Sequence, residues 1–259
     1  MTSIIRPSII VLESTALERS VEEALILGAV DYGDADRIVT LFTRERGRLS
    51  AFAAGARKSK RRFAGALEPC THLKAQLVQR RGDTWRLDGV DVLATFHRLR
   101  DDLPRIGRAL YAAELSKELI RDEHPHPELF DAMLEFLKAL EVSADPASHL
   151  RFTLDALSFA GFRPIFDRCG RCGGATGARP RFDPDSGGAV CESCARQLPY
   201  AVPVSAEVVS LLAALQRAEP HSNDARLRGA ASSLLDGFLS HHLGRRLKSM
   251  DFLRQLGID

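Results

Sequence analysis

Four of the five cysteines stand in two pairs, Cys169-Gly170-Arg171-Cys172 and Cys191-Glu192-Ser193-Cys194, with eighteen residues between them. Each short turn of this kind clamps two thiolates along one edge of a tetrahedron. Two such turns at this separation make a four-cysteine zinc ribbon. Thiolates are soft enough to hold Zn2+, and Gly170 and Gly173 give the backbone its tight turns. Four protein ligands leave no position open for water, so the expected ion is structural and not catalytic. A zinc deaminase would carry its cysteine pair as Pro-Cys-x-x-Cys, and neither pair here is preceded by proline. Free or redox-active thiols are the alternative reading.

The second chemistry-bearing set is cationic. Between Arg44 and Arg62 there are eight basic residues and one acid, Glu45. Within that stretch Arg57, Lys58, Lys60, Arg61 and Arg62 put five positive charges into six residues. A flexible, solvated linker is the plainer reading, but such a density exceeds what solubility calls for and matches the footprint of a phosphate-binding loop. Arg245, Arg246 and Lys248 form a second cluster, read either as another basic patch or as a solvated helix end favoured by the helix dipole. Phe52 sits among cationic neighbours, where a base could stack on it; packing as buried bulk beneath a barrel is the stronger expectation.

Other candidates read as structural. Asp31, Asp34 and Asp36 lack the spacing of a calcium loop and read as a solvated turn. The tandem His241 and His242 point different ways on a helix, and His124-Pro125-His126-Pro127 reads as a rigid connector. Cys70 reads as a small buried residue. No phosphate loop, nucleophile elbow, His-Glu-x-x-His or dinucleotide fingerprint is present, so no catalytic residue is expected.

The elements that must position these residues follow from periodicity. Glu23 to Val30 reads as a strand buried on both faces, followed by the polar turn Asp31–Asp36. Strands are expected at Arg37–Thr43, Arg48–Ala54, Cys70–Arg80 and from Thr84 to Leu93, the last two joined by a Gly82-Asp83 hairpin. Five short strands with a basic connection after the third fit an OB-type Greek-key barrel over residues 23–98, behind an extension at 1–22. From residue 99 the period becomes helical. Asp102 and Pro104 open a helix with Leu103, Ile106, Leu110, Ala113, Leu115 and Leu119 as its apolar stripes. Further helices are expected from Pro127, from Asp145-Pro146 to Gly161, from Ser205 and from Asp224, the last running on through His241 to Lys248. The expected class is α+β: a five-stranded OB-type β-barrel, then an α-helical domain (99–259) interrupted at 165–200 by a zinc ribbon without a core of its own.

At 259 residues, with 45% hydrophobic and 27% charged residues, the chain suits an ordinary globular protein, and its net charge of +2 says little about partners. No window is apolar enough to span a membrane and no clear signal sequence opens the chain. Cysteines paired for metal point to a reducing compartment, the cytoplasm.

Taken in order, these residues resemble the bacterial recombination mediator family RecO. The resemblance runs from about Ala24 to Leu253. It rests on the run from Asp31 to Thr43, on Gly47-Arg48-Leu49, Gly55-Ala56-Arg57 and Gly65-Ala66-Leu67-Glu68-Pro69. The cysteine pairs, Phe182-Asp183-Pro184 and Leu243 to Met250 add to it. It implies an OB domain and a helical domain with a ribbon, binding of single- and double-stranded DNA, and annealing of complementary strands at the nucleoid. It also implies partnership with RecR, engagement of the single-strand-binding protein through its C-terminal tail, and indirect help in loading RecA. Some members lack the cysteines, which favours a structural metal. The DNA contacts expected are Arg37, Arg44, Arg46, Arg48, Arg57, Lys58, Lys60, Arg61 and Arg62, with Arg245, Arg246 and Lys248 as a weaker second patch. Two other classes fit the same residues: a zinc-ribbon adaptor for an acidic protein tail, and an RNA-binding or RNA-modifying OB protein.

Overall fold

A computed structural model describes residues 18–59, 61–63, 65–79, 84–120, 123–143 and 145–257. The Gly82-Asp83 hairpin, Lys60 and most of the expected extension lie outside the described residues.

The front of the chain is a closed five-stranded barrel: β1 (Arg19–Tyr32), β2 (Asp36–Thr43), β3 (Gly47–Ala53), β4 (His72–Gln79) and β5 (Trp85–Ala94), in the order β1-β2-β3-β5-β4. Neighbours are antiparallel except β3 and β5, which close the barrel in parallel through Ala51 opposite Trp85 and Phe52 opposite Arg86. β1 begins four residues ahead of the expected Glu23 because it serves two partners. Arg19–Leu25 pairs with β4 and Ala24–Tyr32 with β2, with an irregularity between Ile26 and Gly28 that lets the strand bend from one to the other.

Burial on both faces of β1 now has a cause. Ala24 and Ile26 line the barrel interior with Val39, Leu41, Leu49, Ala51, Leu73 and Leu77. Leu25 and Leu27 face outward and join the core of the helical domain, as do Phe42, Cys70 and Phe96. The barrel and helices therefore share a core. Phe42 meets Phe130 of the helical domain edge-to-face at 5.3 Å, and Arg44 forms a bidentate pair with Asp131, with Nη2 2.8 Å from Oδ2. The β2–β3 turn presses so closely on the connector between the first two helices that a Cβ at Gly47 (φ +69°) would lie 1.9 Å from the His124 carbonyl oxygen.

The helical domain comprises a 3-10 turn at His97–Arg100, then α1 (Leu103–Leu119), α2 (Pro127–Val142), α3 (Ser148–Phe159), α4 (Glu192–Ala195), α5 (Ala206–Gln216), α6 (Ala225–Leu243) and α7 (Lys248–Gln255). The expected caps are in place: Asp102, Ser205 and Asp224 accept from backbone amides of the first turns of α1, α5 and α6. Two expectations are corrected. α1 does not bury Leu103 and Leu110, which stay exposed; it buries Ala109, Tyr111, Ala112, Ala113, Leu115 and Leu119. Its small residues admit a close neighbour, since a Cβ at Gly107 would lie 2.7 Å from Cδ2 of Leu253 in α7. The last helix does not continue through Lys248, because Gly244 (φ +69°) ends α6 and α7 folds back onto α1.

Between α3 and α5 lies a small sheet, β6 (Arg181–Asp183), β7 (Gly188–Val190) and β8 (Val202–Pro203), ordered β7-β6-β8. Phe182 and Ala189 belong to the helical core, but Cys169, Val190, Ala195 and Ala201 form a separate small cluster. The ribbon thus has a minor core of its own, contrary to expectation.

Candidate metal centre and nucleic-acid interface

The ribbon brings its four cysteines together. The sulfurs of Cys169, Cys172, Cys191 and Cys194 all lie within 4.8 Å of one another, and Cys172 Sγ is 4.0 Å from Cys191 Sγ. Bonds of about 2.3 Å to a tetrahedral zinc ion would set sulfurs roughly 3.8 Å apart, so the spacing fits. Local hydrogen bonds shape each turn: Gly173 N donates to Cys169 O at 2.9 Å, and Ala195 N to Cys191 O at 3.0 Å. Gly170 is required by close approach, since a Cβ there would lie 2.5 Å from the Ser186 carbonyl oxygen.

The thiols perturb one another. Cys191 is lowered to about 6, first by the Ser193 hydroxyl 3.0 Å away and then by the Cys194 amide. Cys194 is pushed up to about 12, chiefly by its hydrogen bond to Cys191. Four thiols this close do not all ionise by themselves, whereas a cation held among them deprotonates its ligands outright. The set can therefore hold a metal ion. The fifth cysteine behaves differently: Cys70 is buried against the Ala109 carbonyl, and burial pushes its thiol up to about 12.

The eight described cationic residues among the nine expected on the front barrel do not form one patch. Arg37 and Arg44 stand at opposite ends of β2, roughly 23 Å apart at about 3.3 Å per residue. The Arg44 end faces the helical domain. There Arg44 is held by Asp131, and Arg46 by Glu22 (2.9 Å) and Glu18 while its guanidinium lies 5.1 Å over the Trp85 ring. Arg48 reaches the Lys117 carbonyl. Arg44 and Arg48 thus tie the barrel to the helices, while Arg46 ties β1 to β5 within the barrel.

The other end carries Arg37, Arg57, Lys58, Arg61 and Arg62, and here the basic loop is pinned. Asp36 Oδ1 accepts from Gly55 N at 2.7 Å, and Ala35 O accepts from Arg57 N at 2.9 Å. Asp31 takes Arg37 Nε at 3.0 Å and Arg57 Nε at 3.4 Å. Arg62 donates to Ala54 O at 2.6 Å and covers the Phe63 ring. The loop is thus no loose linker. Lys58 and Arg61 are exposed and have no ion pair among the described residues. The acidic turn is also more than a solvated one, because Asp31 and Asp36 tie that loop to the β1–β2 hairpin.

Phe52 is not core bulk. It lies on the outer barrel face, half-buried, with its ring 5.9 Å edge-to-face from Tyr32. Sequence reading missed Tyr32 because it sits inside a run of carboxylates; its position one strand step beyond the outward Val30 was the available signal.

The C-terminal cluster is divided. Arg245 pairs with Glu118 and Arg246 with Asp251 at 3.5 Å. The backbone of Lys248 donates to Glu114 Oε1 at 3.0 Å, and its side chain remains exposed. His241 meets Asp185 at 2.9 Å, while His242 packs on Phe238 and Phe162. No described helix is long and apolar enough to cross a membrane.

Comparison with known proteins agrees with this architecture. Residues 18–96 match the family described as Recombination protein O N terminal, and residues 100–251 match Recombination protein O C terminal. A DNA repair protein RecO of Myxococcus xanthus is 53% identical over 244 residues, covering 94% of this chain and 100% of that protein. One from Anaeromyxobacter dehalogenans is 47% identical (90% of this chain, 95% of that protein), and one from Geobacter sulfurreducens 39% (90% and 97%). With both halves matched and relatives aligned along nearly their whole length, the chain belongs to the RecO family of DNA repair proteins.

Proposed function

We propose that this protein is a recombination mediator that binds single- and double-stranded DNA through its OB barrel and anneals complementary strands. In this reading it works with RecR to help load RecA onto DNA coated by single-strand-binding protein, whose C-terminal tail it engages at the nucleoid. Four cysteines hold one structural zinc ion that shapes the ribbon. No residue acts on a covalent bond.

The observation that carries this reading is the basic loop locked against the β1–β2 hairpin, with Lys58 and Arg61 exposed and without carboxylate partners among the described residues. A preorganised cationic loop loses little conformational freedom when a phosphate arrives. Two polyanions must approach one another to anneal, so a surface that neutralises phosphates and leaves base edges free lowers that barrier without chemistry. Arg37 and Arg57 can join, because their ion pairs with Asp31 are half-exposed and such pairs are worth only about 0–1 kcal/mol.

The test is a salt titration of binding to both DNA forms beside an annealing assay. Reversing charge at Lys58 and Arg61 should weaken both complexes and reduce the duplex log–log salt slope by about 0.9 for each phosphate that is no longer neutralised. An unchanged slope removes this loop from the interface.

A further inference from the structure

The outer face of β1–β2–β3 divides into two halves. Along β2, Ile38, Thr40 and Phe42 point the same way. At one end Phe42 is sealed under the helical domain with Leu25 and Leu27. At the other end the face stays apolar, yet none of its residues belongs to a core cluster. Val30 lies opposite Ile38, and Ile38 opposite Phe52, so the three form a continuous cross-strand row. Tyr32 completes the row through its edge-to-face contact with Phe52. Val30 is 62% exposed and Tyr32 57%. A solvated outer strand face ordinarily carries polar residues, so four adjacent apolar side chains, two of them aromatic, mark a surface built to be covered.

The rim of this row points to its occupant. Arg57 is bonded to the same hairpin that presents Tyr32, through the Ala35 and Gly33 carbonyls and Asp31. Arg86, the register partner of Phe52, shares its face and is ion-paired to the half-exposed Asp88, and the exposed Lys58 follows Arg57. Two aromatic rings set nearly perpendicular to one another, with guanidinium and ammonium groups nearby, offer ring faces and charge to a chain that alternates flat bases with phosphates. In a duplex the π-faces of bases are covered by their neighbours, so only an unpaired strand can use the rings.

We propose that Tyr32 and Phe52, with Val30 and Ile38 beside them, form a base-stacking platform that makes this protein distinguish unpaired from paired DNA. The proposal rests on the DNA-binding reading above and adds the residues that set strand preference: the basic loop serves both forms, and the platform serves one.

The experiment compares oligonucleotides of equal length, single-stranded and duplex, against the full chain at several salt concentrations. Tyr32→Leu and Phe52→Leu keep apolar volume and remove the π-face. Each is expected to weaken single-strand binding about tenfold, the size of one stacked base, with an unchanged salt slope and duplex affinity within about twofold. Tyr32→Phe and Phe52→Tyr should bind single strands as the unmodified protein does. Should the leucine variants fold poorly, ultraviolet cross-linking of a halogenated single strand to the unmodified protein should map to Tyr32 or Phe52. Unchanged single-strand affinity, an equal weakening on both DNA forms, cross-links confined to other segments, or a loss of self-association with DNA binding intact would each overturn the platform. If the unmodified protein binds neither DNA form, the DNA-binding reading itself falls, a result distinct from failure of the platform alone.

Discussion

Asp31 decides how much of the cationic surface is available. Its two oxygens hold Arg37 and Arg57, with Glu68 taking a second contact to Arg37 at 3.4 Å. Because these groups are half-exposed, the pairs contribute little stability, less than about 1 kcal/mol each. They nevertheless compete with an incoming phosphate for the same guanidiniums. Asp31→Asn should therefore bind DNA several-fold more tightly and with a steeper salt slope, at almost unchanged thermal stability; weaker binding would mean that Asp31 is needed to hold the loop in shape. At this scale the chain was only partly legible. Charge density marked the Arg57–Arg62 loop, but sequence does not reveal which cations have carboxylate partners. Asp131, which holds Arg44, is 87 positions away. The expectation of buried bulk failed for Phe52, because only the tertiary arrangement shows its outer face uncovered.

Elements whose neighbours are adjacent in sequence were read well, and elements docked from far away were not. The barrel strands and most helix starts follow from period and capping residues. The buried face of α1 was misjudged because α7, more than a hundred positions later, selects a small-residue groove over the leucine stripe. The same docking supplies an unusual cap. α7 has no capping side chain of its own; Glu114 of α1 accepts from Lys248 N (3.0 Å), Ser249 N (2.8 Å) and Ser249 Oγ (2.6 Å). Partial burial pushes the Glu114 carboxyl upward, but the Ser249 hydroxyl, the two amides and Arg245 outweigh it and hold the carboxyl below its ordinary value. A lowered value in the folded state means stabilisation that is complete above about pH 4.3 and is lost as acid titrates through the depressed value. Glu114→Gln should lower stability at neutral pH and flatten the acid limb of the stability curve, followed by urea unfolding at several pH values. An unaltered acid limb would show that Glu114 is not the group linking α7 to pH.

Across the whole molecule, cohesion is unequal. The barrel cannot be separated cleanly from the helices, because Leu25, Leu27, Phe42 and Phe96 lie in the helical core and Arg44 and Arg48 reach across to α2 and α1. The two-sided burial of β1 was the sequence signature of that shared core, visible as an unbroken apolar run but explicable only once the helices are in place. The ribbon is the weakly tied part. Its own cluster has four buried residues, two short strands pair on either side of β6, and Phe182 with Ala189 provides its anchorage among the helices. A cluster of that size does not offset the conformational entropy of ordering some thirty-five residues, and a metal ion held by the four cysteines would supply the difference, on the order of 10 kcal/mol by analogy with small zinc peptides. Chelation under reducing conditions should release one zinc ion per chain. Hydrogen exchange should then quicken throughout 165–200 and, more mildly, around Phe238, whose ring lies 5.7 Å from Phe182. Barrel amides should keep their protection, because no ribbon residue enters the barrel core. DNA affinity should persist for the same reason, since Lys58, Arg61, Tyr32 and Phe52 all lie on the barrel. If metal removal left ribbon exchange unchanged, the four cysteines would not be holding the ribbon together; if it abolished DNA binding, the ribbon would be part of the interface and not merely a folded appendage of the helical domain.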